Sequence, residues 1–470
     1  MKTKSHLLHA LPSFVGLLSL LSGVFLAPFN HYLLGLLLIL SAVFSYCFIA
    51  VMNDRNWLDI RAVFSGTWLG TIGLASFRLL GYQEQWQPKT WVLVALAYLV
   101  FIVGASIGDY IGKTHIQSAL SRLRNFHIGR LHFQLQNNRL FAICIITSLI
   151  GLITFIINVW VRGYIPCFSS DPHAYTNFYS KVQIFSVAAT AVSGLCYYVI
   201  RTQNLSVFKK ILLYLCILYH TFAYPILIVS RGTFLASAIS LMVMIFYLHK
   251  KRFIALLLSI VVIFSVYVGC SFLRNYTSAQ LISFFEPSDI NLPGSSDPDD
   301  IFGDSSGDLT FSLPPYVAWI YSYLTVSHDN FNEAVQNNEE FTYGSRQMAP
   351  LNVVLRIDAI NEQNQTAKTY RVREHLNTNN LIGDFYYDFG VLGVALCLLF
   401  WALLFGINQG CSAHCNHWVW LLLLGNTLVP VVLCFFAPWT SVFSQWMLWG
   451  VVLIFLLAAG ITWQPKRLCK

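Results

Sequence analysis

The residues best suited to chemistry crowd together where a long polar stretch meets apolar sequence. They fall within Arg371-Val-Arg373-Glu374-His375-Leu-Asn377-Thr378-Asn379-Asn380-Leu-Ile-Gly383-Asp384-Phe-Tyr386-Tyr387-Asp388-Phe389-Gly390. His375 is the only member whose unperturbed pKa lies near neutrality, so it is the natural general base. An acidic group at membrane depth marks a functional site by default, which singles out Asp388. The structural alternative pairs Arg373 with Asp384 and leaves Asp388 to cap or anchor a helix.

Two further arginines stand at the ends of apolar runs. Arg231 lies in Ser230-Arg231-Gly232-Thr233 between two such runs, and Arg274 closes another. A planar, permanently charged guanidinium there suits a phosphate group; the plainer reading is an arginine snorkelling to water. A third segment starts at Pro314-Pro315 and carries Tyr316, Trp319, Ile320, Tyr323 and Leu324 at helical spacing, then His328-Asp329-Asn330. It predicts a short helix near 314–332, too short to span and therefore interfacial or re-entrant. Its aromatic rings suit either sugar faces or an interfacial belt.

The elements that must position these groups are hydrophobic. Hydrophobic residues make up 56% of the 470 and charged ones 11%, where a soluble domain would be about a quarter charged. Apolar runs fall at 11–27, 31–52, 62–80, 90–110, 140–161, 181–200, 211–229, 233–248, 253–272, 383–406, 417–436 and 440–462. A bilayer core takes roughly 20 apolar residues per helix, so these predict an all-α polytopic membrane protein of about twelve spans. The run 11–27 follows Lys2 and Lys4 without a cleavage site and reads as the first span. The expected organisation is therefore 1–272 with nine spans, a polar loop at 273–380, and 381–470 with three.

Charge sets the expected orientation. With the N-terminus inside, the inner connectors hold most of the 29 Lys and Arg, among them Lys113, Arg139, Lys209, Lys210 and Lys250-Lys251-Arg252. Both termini are then cytoplasmic and the long loop faces outward. The net charge of +8 is spread over these connectors and forms no nucleic-acid-binding face. Most of the 11 cysteines lie in apolar runs, where they act as small hydrophobes. The Cys411-Ser-Ala-His414-Cys415-Asn-His417 cluster lacks the spacing of paired zinc cysteines, so no metal is expected.

Together these features resemble a Wzy-type O-antigen polymerase, in the group of bacterial oligosaccharide repeat-unit polymerases. The resemblance rests on the spans and outer loop, on Ser230-Arg231-Gly232 opening a helix, on a tyrosine-rich segment ending at Tyr343-Gly344, and on Asn377-Thr378-Asn379 through Asp388-Phe389-Gly390-Val-Leu-Gly393. It is specific over about 220–400 and topological elsewhere; the acidic insert at 286–308 departs from it. It implies an inner-membrane glycosyltransferase that joins undecaprenyl-diphosphate-linked oligosaccharides, with no cofactor and with a chain-length regulator protein as a partner. Arg231, Arg274, Arg371 and Arg373 would then hold diphosphate. His375, with Asp388 and Asp329 in reserve, would activate the acceptor hydroxyl, and Tyr316, Trp319, Tyr323 and Tyr343 would meet glycan. An O-antigen ligase shares the topology and donor. A flippase would instead predict repeated halves, and these are absent from the sequence.

Arg231→Ala and His375→Ala are each expected to abolish long surface polymer at unchanged protein levels, read from the length distribution of the glycan. Long polymer in either strain would remove that residue from the chemistry.

Overall fold

Apolar sequence of this length satisfies its backbone only by forming helices, and helices dominate the computed structural model of the chain. It describes residues 2–116, 127–128, 131–133, 139–169, 178, 182–249, 252–275, 315–355, 368–372, 378–414 and 417–463. In order the helices are α1 (Lys2–Leu21), α2 (Gly23–Leu26), α3 (His31–Met52), α4 (Ile60–Ser76), α5 (Pro88–Ile111), α6 (Leu140–Arg162), α7 (Gln183–Ala189), α8 (Val192–Thr202) and α9 (Val207–Leu218). There follow α10 (Tyr224–Leu227), α11 (Arg231–Leu248), α12 (Arg252–Asn275), α13 (Pro315–Asn337), α14 (Ala349–Leu355), α15 (Gly383–His414), α16 (Trp418–Val432) and α17 (Phe443–Gly460). Three short strands, His127–Ile128, Leu131–Phe133 and Ile461–Trp463, form one small antiparallel sheet in that order.

Among the described residues, eight helices are long and apolar enough to cross a membrane: His31–Met52, Pro88–Thr114, Leu140–Arg162, Gln183–Thr202, Val207–Leu227, Arg231–Leu248, Gly383–Ser412 and Phe443–Gly460. The other four apolar runs are also helical but shorter, as Leu11–Leu26, Arg252–Tyr267, Trp418–Val432 and Ile60–Ser76. The helices are thus compatible with a multi-pass membrane protein. The acidic insert at 286–308 lies outside the described residues.

Contacts divide the chain into two units. The first holds Met1–Gly108, Leu281–Gly406 and Pro430–Phe443, so the described part of the polar stretch belongs to it. Within this unit α3 packs along α4, α1 lies on α3, and α13 lies on α4. Capping carboxylates and amides set the helix starts: Asn30 accepts from the Leu33 amide at 2.9 Å, and Asp59 from the Arg61 amide at 2.9 Å. A stack of aromatic rings fills the interior, with Phe64 3.8 Å from Phe101 and 5.5 Å from Trp68.

The helix predicted at 314–332 runs on to Asn337. Its polar second half continues the helix because its side chains are buried and bonded, as described below. α15 is kinked at Gly390, whose φ of 61° and ψ of −138° suit glycine alone.

The second unit holds Asp109–Gln280, Ile407–Val429 and Ser444–Lys470. In it α6 packs on α7 and α8, α8 on α9 and α11, and α11 on α12. One turn of π-helix, Tyr219–Ala223, joins α9 to α10.

Close helix packing in the first unit depends on absent side chains. A Cβ on Gly406 of α15 would lie 2.2 Å from the Ala105 carbonyl oxygen of α5. Gly406→Val is expected to cost about 1–3 kcal/mol by overpacking, seen as a lower Tm of the purified protein. An unchanged Tm would show that α5 and α15 do not need this approach.

Candidate functional site

The polar half of α13 organises the site in the first unit. Ser327, His328, Asp329, Asn330 and Asn332 are all buried, although they follow one another on the helix and so point in different directions. Each reaches a different segment. Ser327 donates to the Phe435 carbonyl. His328 Nε2 lies 2.9 Å from Thr71 Oγ1 of α4, and its Nδ1 lies 3.4 Å from Asn380 Nδ2. Asp329 accepts from Gln83 Nε2 and Trp86 Nε1, both at 2.9 Å. Asn330 donates to the Thr378 carbonyl at 2.7 Å and accepts from the Val372 amide at 2.9 Å. Asn332 accepts from Thr90 Oγ1 at 2.8 Å and the Gln87 amide at 3.0 Å.

The hydrogen bonds assign the histidine tautomer. Thr71 spends its proton on the Thr67 carbonyl at 2.7 Å, so it accepts from His328 Nε2–H, and Nδ1 is left to accept from Asn380. Burial drives the His328 pKa down to about 3 and holds the ring neutral. Burial also pushes Asp329 up to about 7, against the Trp86 and Gln83 hydrogen bonds and the charge of Arg78. Glu333, one turn on, is raised by partial burial and by Glu84. Asp329 therefore exchanges its proton near neutral pH, the property a general base needs.

A second cluster forms where α15 begins. Asp388 is fully buried, and the turn 342–347 saturates its carboxylate. One oxygen accepts from Thr342 Oγ1 at 2.5 Å and the Arg346 amide at 3.1 Å, and the other from the Gln347 amide at 3.0 Å. The turn passes through two left-handed residues, Tyr343 at φ 43° and Gly344 at φ 92°. Such strain in a non-glycine residue is held only where neighbours enforce it. Here the Asp388 clamp does so, and it aims Arg346.

The Arg346 guanidinium stacks on Tyr387, 3.8 Å from the ring centre. Its Nη2 donates to the Lys368 carbonyl at 2.9 Å and Thr369 Oγ1 at 3.2 Å. Asp384 stands off at 3.7 Å, already accepting from the Ser441 hydroxyl. Among the described residues, the buried Arg346 Nε has no partner. On the adjacent residue, Lys89 Nζ donates to the Tyr386 hydroxyl at 3.1 Å. A guanidinium fixed on an aromatic face with donors to spare can receive an oxyanion.

The residues expected from sequence fall in several places. Asp329 and Asp388 lie in these two clusters. Arg371 is exposed and Tyr343 is exposed beside the strained turn. Tyr323 is half-buried, with its ring stacked on Phe436 at 5.7 Å. Arg373 and His375 lie outside the described residues. Tyr316 and Trp319 belong to α13, and Arg274 to α12, by backbone; their side chains lie outside the described residues. Arg231 belongs to the second unit. It opens α11 behind Ser230, whose hydroxyl accepts from the Thr233 amide at 3.4 Å. It is buried, with its guanidinium 5.8 Å from the Tyr267 ring centre. The residue two before it, Val229, sits at φ 52°, an outlier for a β-branched side chain.

Sequence reasoning missed Arg346, Lys89 and His328 as site residues. Arg346 did leave a signal: it is the first basic residue after a stretch without Lys or Arg from Asn275, and it ends the sequence Tyr343-Gly344-Ser345-Arg346. Asp384 meets Arg346; the alternative pairing of Asp384 with Arg373 falls on a residue outside the described ones. Among the described residues no group of three or more His, Cys, Asp or Glu is arranged to hold a metal ion. No protein-family model, curated protein or solved structure matches the chain.

The Asp329 pKa carries a signed consequence. Because folding raises it above the ordinary 3.8, the protonated form favours the fold at low pH, and that contribution falls away as pH rises to about 7. Relative to Asp329→Asn, the native chain is expected to lose on the order of 2–3 kcal/mol between pH 5 and pH 7. Thermal unfolding of both proteins at the two pH values measures this. A difference that does not change with pH would show that Asp329 holds no proton there.

Proposed function

We propose that the chain is a membrane glycosyltransferase that polymerises undecaprenyl-diphosphate-linked oligosaccharide repeat units on the outer face of the bacterial inner membrane. The observation that carries this reading is Arg346: a guanidinium stacked on Tyr387, aimed by a saturated carboxylate, its Nε without a partner among the described residues. It supplies the fixed positive charge that a diphosphate leaving group needs as negative charge builds on it. In this reading the helices make twelve crossings, both termini are cytoplasmic, and the polar stretch lies outside.

The reaction forms a bond between an acceptor sugar oxygen and the donor's anomeric carbon, and breaks the bond from that carbon to the diphosphate. The acceptor proton passes to a base and the bond electrons leave with the phosphate. His375 is the first candidate for the base. Asp329 is the second, since its proton exchanges near neutrality. Asp388 is a positioning residue, because its oxygens are spent on Thr342 and the amides of Arg346 and Gln347. Arg231, Arg274, Arg371 and Arg373 remain candidates for further phosphate contacts, and exposed Tyr343 for glycan. No metal or cofactor enters this scheme.

Arg346→Ala is expected to lower the yield of long surface polymer about a hundredfold or more. Arg346→Lys is expected to rescue little, since an ammonium cannot reproduce the stacked planar fork. The readout is the chain-length distribution of surface glycan at matched protein levels. Normal-length polymer from the Arg346→Ala strain would sink the proposal. A deletion strain with no repeat units attached to lipid A core, rather than single ones, would favour ligation over polymerisation.

A further inference from the structure

In the second unit, three successive residues carry buried polar atoms without a partner among the described residues. The Tyr219 hydroxyl, both ring nitrogens of His220 and the Thr221 hydroxyl have no hydrogen-bond partner among the described residues. His220 and Thr221 are wholly excluded from solvent. All three lie on the π-turn Tyr219–Ala223, inside the apolar span Val207–Leu227. A titratable side chain inside such a span is costly and needs a reason.

The π-turn bears on the Thr221 hydroxyl. Several other helical threonines donate to the carbonyl four residues back, as Thr71 does at 2.7 Å, Thr154 at 2.7 Å and Thr202 at 2.8 Å. The wider turn takes that carbonyl out of line for Thr221, so its hydroxyl is free to face another group. Space for the imidazole comes from α6. A Cβ on Gly151 would lie 2.8 Å from His220 Cε1 and 2.7 Å from the Ala189 Cβ. The surroundings are themselves weakly polar. Cys216, one turn before His220, lies near Ser148 and Cys196, and Cys196 near Cys144.

Unpaired polar groups in a dry interior forfeit their hydration without return. In folded proteins such clusters hold bound water, which makes roughly two to four hydrogen bonds to the groups around it. The described thiols and imidazole do not converge on a metal-holding arrangement. We propose that the π-turn is an intramembrane water-binding site, in which ordered waters hydrogen-bond to the His220 ring, to the hydroxyl of Tyr219, whose ring lies 4.8 Å from it, and to the hydroxyl of Thr221. Water serves the site best because a neutral imidazole offers one donor and one acceptor, and the two hydroxyls can each do either. This reading is independent of the glycosyltransferase proposal.

X-ray radiolytic labelling of the full chain in lipid nanodiscs tests it, since radicals form from water bound beside a side chain. The peptide with Tyr219 and His220 is expected to oxidise several times faster than that with Phe155, a buried ring of the same unit. His220→Leu and Thr221→Val supply a second readout. With water present each variant strands its neighbours' hydrogen bonds, and Tm falls by ~3 °C or more. In a dry site each removes an unsatisfied group, and Tm holds or rises. Labelling at the Phe155 rate, or a Tm that holds or rises in either variant, overturns the proposal.

Discussion

A helix that buries its polar residues must find a partner for each of them, and in the first unit α13 does this over six residues. Ser327, His328, Asp329, Asn330 and Asn332 reach Phe435, Thr71, Gln83 with Trp86, Thr378 with Val372, and Thr90 respectively. These partners come from α4, α5 and the connector between them, from the polar stretch itself and from the connector before α17. One short run of side chains thus holds together segments that are hundreds of residues apart in sequence. Removing a single partner leaves a buried group unsatisfied, which costs about 1–3 kcal/mol. That asymmetry makes the arrangement specific.

The same economy gives Asp388 and Arg346 their different roles. Sequence alone singles out Asp388 and passes over Arg346. In the fold the carboxylate is consumed by two backbone amides and a hydroxyl, while the guanidinium has a buried Nε without a partner among the described residues. Backbone strain lies close to three arginines: Tyr343 is three residues before Arg346, Val229 is two before Arg231, and Arg78 itself sits at φ 49°. Positive φ in such residues persists only where surrounding bonds over-determine it. In the first case those bonds are the ones Asp388 makes.

In the second unit, three successive residues of one π-turn, Tyr219, His220 and Thr221, carry buried polar atoms without a partner among the described residues. Many other helical hydroxyls fold back on their own backbone, as those of Thr154 and Thr202 do. Where the helix widens, that route closes and the side chains must look outward. The local geometry of a single turn therefore decides whether a buried threonine is inert or open to a ligand.

Much of the architecture was legible in the chain alone, because hydrocarbon admits few backbone conformations. Every apolar run is helical. Asp329, Asp388 and Arg231 also stand out in the sequence as charges that need a partner or a purpose, and all three are buried. The length of α13 was not, because Ser327 to Asn332 look like surface residues until their distant partners are known. Nor was the distinction between Asp388 and Arg346, or the isolation of His220. Residue type and spacing set which groups are expensive to bury; only the tertiary structure decides which of them are satisfied, because the satisfying partners lie far away along the chain.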